Sequence, residues 1–165
     1  MSGDITAQDD VDAVVNAANS QLAPGGGVAG AIHRVAGPRL FEECKSLAPI
    51  RTGEAVMTRG YGLAARWCIH VLGPVYASSS NPPFELDACY DSILAIAEER
   101  HLASIATPAI STGIFGYPVD EAAEVALQAV TARRERLQSV SLVRFVLWGE
   151  RDVDVHVRAL ERIDG

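Results

Sequence analysis

Apolar positions in this chain fall in blocks of two kinds. Val11 to Ala17 packs Val11, Ala13, Val14 and Val15 into a short run, which predicts a buried strand. Ile105 to Ile110 and Leu142 to Trp148 read the same way, as do the shorter runs Ala55 to Thr58 and Trp67 to Leu72. Between these runs the spacing changes to that of helices. Val28, Ala31, Ile32 and Val35 share one side of a segment from Val28 to Val35. Leu86, Tyr90, Ile93, Leu94 and Ala97 do the same from Glu85 to Arg100. Leu40 to Leu47, Val119 to about Leu137, and about Asp152 to Ile163 are further predicted helices. Strands and helices alternate, so the pattern predicts an α/β protein with a largely parallel sheet and helices on both faces. Ala77 to Pro83 is a polar surface loop. No internal repeat or low-complexity segment interrupts the chain, which reads as one domain over residues 1–165.

The segments that follow the strands carry the candidate chemistry. Asn16-Ala17-Ala18-Asn19-Ser20 ends the first strand, and asparagines there are costly unless their amides are satisfied. They read either as turn formers or as ligand donors at the end of a strand, where open α/β sheets bind ligands. Pro24-Gly25-Gly26-Gly27 precedes the helix of Val28 to Val35, on which His33 follows Ala29 by four positions, so that the two share a face. Ser111-Thr112-Gly113-Ile114-Phe115-Gly116-Tyr117-Pro118 links the apolar run Ile105 to Ile110 to another helix. Glycine admits close backbone approach, and Pro118 suits a first helical turn. Free loop amides beside a helix N-terminus make a site for a phosphate group.

Composition narrows the classes. The chain has 165 residues, 48% of them hydrophobic and 21% charged, enough for one domain with a real core. No apolar run is long enough to span a bilayer, and Met1-Ser2-Gly3-Asp4 is polar and acidic, unlike a signal peptide. Cys44, Cys68 and Cys89 cannot all pair and show no CxxC spacing, so the expected compartment is a reducing cytoplasm. His33, His70, His101 and His156 are scattered, with no zinc pattern. The net charge of −7 argues against general nucleic-acid binding, and the cluster Arg133-Arg134-Glu135-Arg136 reads as a solvated helix face. An anionic ligand remains compatible with that charge, because backbone amides can hold a pyrophosphate without lysine or arginine.

Taken together, the motifs resemble the macrodomain family, and its MacroD-type branch in particular. The resemblance runs through Gly3-Asp4-Ile5-Thr6, Val11 to Asn19, Gly25-Gly26-Gly27-Val28, Gly30-Ala31-Ile32-His33-Arg34, Thr52-Gly53-Glu54-Ala55, Ile69 to Pro74, and Pro108 to Pro118. These occur in the family's order and cover nearly the whole chain. The resemblance implies a three-layer α/β/α fold with a central mixed sheet and an ADP-ribose cleft at the strand ends. It implies that Asp4 accepts a hydrogen bond from the adenine amino group, helped by the Ile5 amide, and that Asn19 faces the distal ribose. It further implies that Gly25, Gly26, Gly27 and Val28 wrap that ribose and the diphosphate. Ser111, Thr112, Gly113, Ile114 and Gly116 would supply the phosphate loop, with Phe115 over the distal ribose.

Two departures stand out. The family usually has a strand before the Gly-Asp-Ile-Thr motif, whereas Met1 lies directly before it here. A missing first strand would give Val11 to Ala17 an exposed edge or another pairing partner. The branch also usually has aspartate where this chain has Ala29, and alanine can accept neither a proton nor a hydrogen bond. The resemblance implies an ADP-ribosylhydrolase acting on mono-ADP-ribose, with an ester-linked acidic side chain of a modified protein as the first substrate. O-acetyl-ADP-ribose and ADP-ribose on a nucleic-acid end are other substrates. Asn19, His33 and position 29 are the candidate catalytic positions, with activity lowered by Ala29. A non-catalytic ADP-ribose reader is the alternative that Ala29 favours. The expectation includes no metal, no cofactor, no membrane and a monomer. A rough alignment places Val153, with Trp148 nearby, where many relatives stack an aromatic on adenine.

Overall fold

Five short strands carry the apolar blocks: β1 (Ala13–Ala17), β2 (Ala55–Arg59), β3 (Trp67–Val71), β4 (Ser104–Thr107) and β5 (Leu142–Phe145). The structure, a computed structural model, describes residues 1–165. The helices are α1 (Gly27–Ala36), α2 (Pro38–Cys44), α3 (Pro82–Glu99), α4 (Val119–Arg133) and α5 (Glu150–Asp164). The strand order is β2-β3-β1-β4-β5, parallel throughout except for β2, which runs antiparallel to β3. The connection Gly60–Arg66 makes that reversal, with Gly60 N donating to Arg66 O at 2.8 Å. The link from β1 to β2 passes over the place of β3, and those from β3 to β4 and from β4 to β5 are crossovers between parallel strands.

Alternate residues of β1 point to opposite layers. Ala13 and Val15 face α3 and α4 with Ile69, Ile105, Leu86, Tyr90 and Ile93. Val14 faces α1 and α2 with Cys68, Ala106, Ile32, Leu40 and Cys44. α5 closes the edge of the first layer through Ala159, against Ala123 and Leu127 of α4. The result is the three-layer α/β/α arrangement with a mixed sheet.

Several boundaries differ from the sequence reading for local reasons. Pro108 follows Thr107, and its missing N–H ends β4 before Ile110. α3 starts early because Asn81 caps it, accepting from Phe84 N at 3.4 Å, and Pro82 tolerates the first turn. α4 stops at Arg133, and Arg134–Arg136 tightens into a 3-10 turn. Arg133 is also not a solvated charge. Its guanidinium bonds both Asp87 carboxylate oxygens, at 2.9 and 2.7 Å, and Asp91 at 2.8 Å, tying α4 to α3.

The exposed edge expected at β1 is absent there. β1 is the central strand, paired on both sides by β3 and β4. Met1 to Gly3 instead extends the edge beyond β5. Ser2 bridges Leu147 in parallel, and the Met1 ammonium donates to Phe145 O at 2.8 Å.

Under α1 and α2 the sheet carries a buried polar chain in place of aliphatic packing. The Thr58 hydroxyl donates to Arg59 O (3.0 Å), so it accepts from His70 Nε2–H (2.9 Å). His70 Nδ1 then accepts from Asn16 Nδ2 at 3.0 Å. This assigns a neutral Nε2–H tautomer. Burial, then the proximity of His33, pushes the His70 pKa down to about 3, and burial also lowers that of His33. In the unfolded chain both rings titrate near the ordinary value of about 6.5. Below that pH the unfolded state binds protons that the folded state refuses, so stability is full above it and falls toward pH 3. The urea midpoint is therefore expected to drop as pH is lowered from 7 to 4.5. His70→Gln, less stable overall, should show a shallower drop. Equal slopes for the two proteins would contradict the buried neutral ring.

Candidate functional site

The C-terminal ends of β1, β3, β4 and β5 open on one side of the sheet, the usual site of ligand binding in open α/β folds. A cleft of about 620 Å³ lies there. Its floor is Ala17, Ala18 and Pro108 to Ile110. Gly3, Asp4 and Ile5 border one end with Val146, Leu147, Trp148 and Asp152. Gly26, Gly27, Val28 and Ala31 of α1 and its approach form one wall, and Ser111 to Phe115 form another. No lysine, arginine or histidine lines the cleft.

The positive potential comes from backbone. Gly26 is the N-cap of α1 and offers no capping side chain, so the first N–H groups of the helix stay free. Gly27 has φ of +55°, which suits glycine. Across the cleft, Tyr117 N donates to Ser111 O (2.9 Å) and Gly116 N to Gly113 O (3.0 Å), closing a tight turn. The amides of Gly113, Ile114 and Phe115 donate to no group of the protein. Positive φ falls at Ser111 (+69°) and Gly116 (+75°), so the turn depends on these two residues. These facing amide sets form a place for a diphosphate, with no cation needed.

Asp4 has two roles within reach. Its Oδ1 accepts from Thr6 Oγ1 (2.7 Å) and Thr6 N (2.9 Å), capping the turn Ile5–Ala7. The Thr6 hydroxyl, then the Thr6 amide, hold the carboxyl below the usual range and ionised at neutral pH. Oδ2 makes no bond within the protein and stays available as an acceptor.

Other residues singled out from the sequence stand outside the lining. Asn19 Oδ1 accepts from Ala23 N (3.0 Å) and its Nδ2 donates to Ala23 O (2.9 Å), so its amide folds the loop that delivers Gly25. Ala29 and His33 share the inner face of α1, 5% and 7% exposed. The His33 ring meets Phe41 edge-on at 6.1 Å, and neither ring nitrogen has a partner. Gly25 and Gly116 flank the cleft walls without lining them. Trp148 does line the cleft and is 84% exposed, whereas Val153 does not line it. Asp152, Gly73 and Ala31 were missed. The rule that ligands gather at strand ends points to Gly73, two residues after β3, and helical spacing from Val28 points to Ala31. The three cysteines are free and buried. Desolvation raises their thiol pKa values, that of Cys44 to about 11, so none is a thiolate at neutral pH.

Residues 15–126 match the family model described as the Macro domain. The chain belongs to the macrodomain family. The O-acetyl-ADP-ribose deacetylase of Salmonella gallinarum is 45% identical, over 97% of this macrodomain and 92% of that protein. The ADP-ribose glycohydrolase MACROD2 of Xenopus laevis is 44% identical, over 96% of this chain but 38% of its own length. Among solved structures, a mutant Oceanobacillus iheyensis macrodomain with ADPR superposes at a TM-score of 0.94. It is 36% identical, with 99% of this chain and 91% of that chain covered.

Gly113 tests the amide wall of the macrodomain cleft. A Cβ there meets nothing within 4 Å, and the backbone is not in the left-handed region. Gly113→Val is expected to melt within a few degrees of the native protein while losing ADP-ribose affinity at least tenfold, read by calorimetry. Unchanged affinity in the folded variant would remove this loop from the site.

Proposed function

We propose that this macrodomain binds ADP-ribose in the cleft and hydrolyses mono-ADP-ribose from an acceptor, with an ester to an acidic side chain as the first substrate. The observation that carries this reading is the pair of facing amide walls in a cleft without cations. A diphosphate between two sugars matches it, with one charged group between two neutral arms. The adenine arm lies toward Asp4, Ile5 and Trp148, where the free Asp4 Oδ2 accepts from an exocyclic amine. The distal ribose lies between Gly26 to Val28, Ala31 and Phe115. The names of the Salmonella and Xenopus relatives, an O-acetyl-ADP-ribose deacetylase and an ADP-ribose glycohydrolase, support hydrolysis of an ADP-ribose derivative.

Hydrolysis adds water oxygen to the anomeric carbon of the distal ribose. The bond from that carbon to the acceptor carboxylate breaks, and the proton passes to solvent. Ala29 offers no base for this step. His33 is buried on the inner face of its helix, without a contact to the cleft. Water orientation therefore falls to the ligand's own phosphate, clamped by the amides of Gly113 to Phe115. The chain contributes positioning and preorganised dipoles. ADP-ribose on a nucleic-acid end presents the same distal ribose to this step, and O-acetyl-ADP-ribose presents it to a related one. In that step water adds to the acetyl carbonyl, the bond from that carbon to the ribose oxygen breaks, and acetate and the ribose hydroxyl are released. Both are further substrates of this reading.

Turnover of a mono-ADP-ribosylated, glutamate-linked protein tests it. The native protein is expected to release ADP-ribose slowly. Ala29→Asp, whose carboxylate would stand on the inner face of α1 outside the cleft lining, is expected to leave that rate unchanged. A gain of about 10²-fold, the lower range for a positioned base, would show instead that position 29 reaches the ribose. Release by neither form, with ADP-ribose still bound, would make the protein a reader.

A further inference from the structure

The phosphate-loop wall has an unusual support. Ser111 is a non-glycine residue at φ +69°, a conformation that side chains rarely adopt. It is 6% exposed, and its buried hydroxyl has no hydrogen-bond partner. Neither strain nor an unpaired hydroxyl stabilises a loop, so the surroundings must impose this geometry. The neighbour that makes room for it is Gly73. A methyl group built on Gly73 would overlap Ser111 Oγ and lie 2.6 Å from Ile110 Cγ2.

The segment after β3 is firmly held. Leu72 O accepts from Gly53 N (2.8 Å) and from Cys89 Sγ (3.4 Å), and Leu72 N donates to Glu54 O (3.3 Å). Three residues past Gly73, Tyr76 N donates to Phe115 O at 2.9 Å. The Tyr76 ring packs on Tyr117, which is 2% exposed, at 4.9 Å. One fixed segment thus touches the loop at its start, through Ser111, and at its far end, through Phe115 and Tyr117. The free amides of Gly113, Ile114 and Phe115 lie between these two attachments.

We propose that the segment Gly73–Tyr76 is the template that shapes the phosphate loop, and that Gly73 and Ser111 are its positioning pair. Gly73 leaves room for Ser111 Oγ, and Ser111 seated there turns the following amides toward the cleft. Neither residue needs to touch the reacting atoms. The inference rests on the reading of the cleft as an ADP-ribose site only for its affinity test; the loop geometry itself is read without ligand.

The experiment compares native protein, Gly73→Ala, Ser111→Gly and the double variant. Each is examined ligand-free by backbone amide NMR and then by ADP-ribose calorimetry. Gly73→Ala is expected to shift the amides of Ser111 to Gly116 while leaving those of α3 and α4 in place. Its ADP-ribose affinity should fall more than tenfold. Ser111→Gly relieves the positive φ and loosens the seat, with about a threefold loss. The double variant should recover part of the affinity that Gly73→Ala loses, because the closer overlap, with Ser111 Oγ, needs both side chains whereas that with Ile110 Cγ2 remains; this non-additivity marks direct coupling. Additive losses, or native amide shifts in Gly73→Ala, overturn the pairing. If Gly73→Ala does not fold alone, its rescue by Ser111→Gly supports the pairing. If neither folds, an unchanged affinity in Ser111→Gly overturns it and a loss supports it. Failure of the native protein to bind ADP-ribose would sink the functional reading, while the ligand-free shifts still judge the template.

Discussion

An anion bound in a cleft with no cation on its walls can be held only by backbone N–H groups and their dipoles. That constraint orders the rest of this structure. Free amides must point into the cleft, so they cannot be spent on secondary structure, and the chain must turn tightly enough to present several at once. The glycines before α1 and the positive φ values at Ser111 and Gly116 answer the need for tight turns. The uncapped start of α1 answers the need for unspent donors. A negatively charged protein can then accept a negatively charged ligand, because the attraction is local and does not depend on net charge.

Loops with unspent amides are not self-supporting, so their geometry is borrowed from the core. β1 ends beneath the cleft, and its last turns are fixed by the buried chain Asn16–His70–Thr58 on one side of the sheet. Apolar packing of Val15 against Ile69 and Ile105 fixes the other side. The Asn19 amide closes its loop on Ala23 and so sets where Gly25 and Gly26 arrive. Burial keeps both histidines of this layer neutral, which suits a supporting role and makes the fold sensitive to acid. The polar side chains that hold the site are thus mostly behind it, and those that line it are mostly apolar.

Much of this was legible in the residues. Block alternation is enough for an α/β sheet, because period and length together separate β1 from α1. The two glycine-rich turns were visible because few other residues allow such backbone. The antiparallel β2 was not visible in the pattern, since a short connection such as Gly60–Arg66 looks like any loop. The central place of β1 was missed because strand order is a tertiary property, set by crossovers and not by composition. Helix phase had the same limit. Ala29 and His33 share a face in any helix, but only packing against Phe41 and the sheet shows that this face turns inward. Arg133 looked solvated because its partners, Asp87 and Asp91, are distant in sequence. Trp148 and Asp152 reach the cleft only through the placement of α5.

The central claim is that backbone amides of two loops grip the diphosphate. The most direct measurement follows the amide resonances of Gly27, Val28, Gly113, Ile114 and Phe115 while ADP-ribose, and separately AMP, is titrated into labelled protein. The account calls for large shifts at all five amides with ADP-ribose. With AMP, the changes should be weaker and concentrated at Asp4 and Ile5. Saturation by ADP-ribose with these five amides unmoved would contradict it.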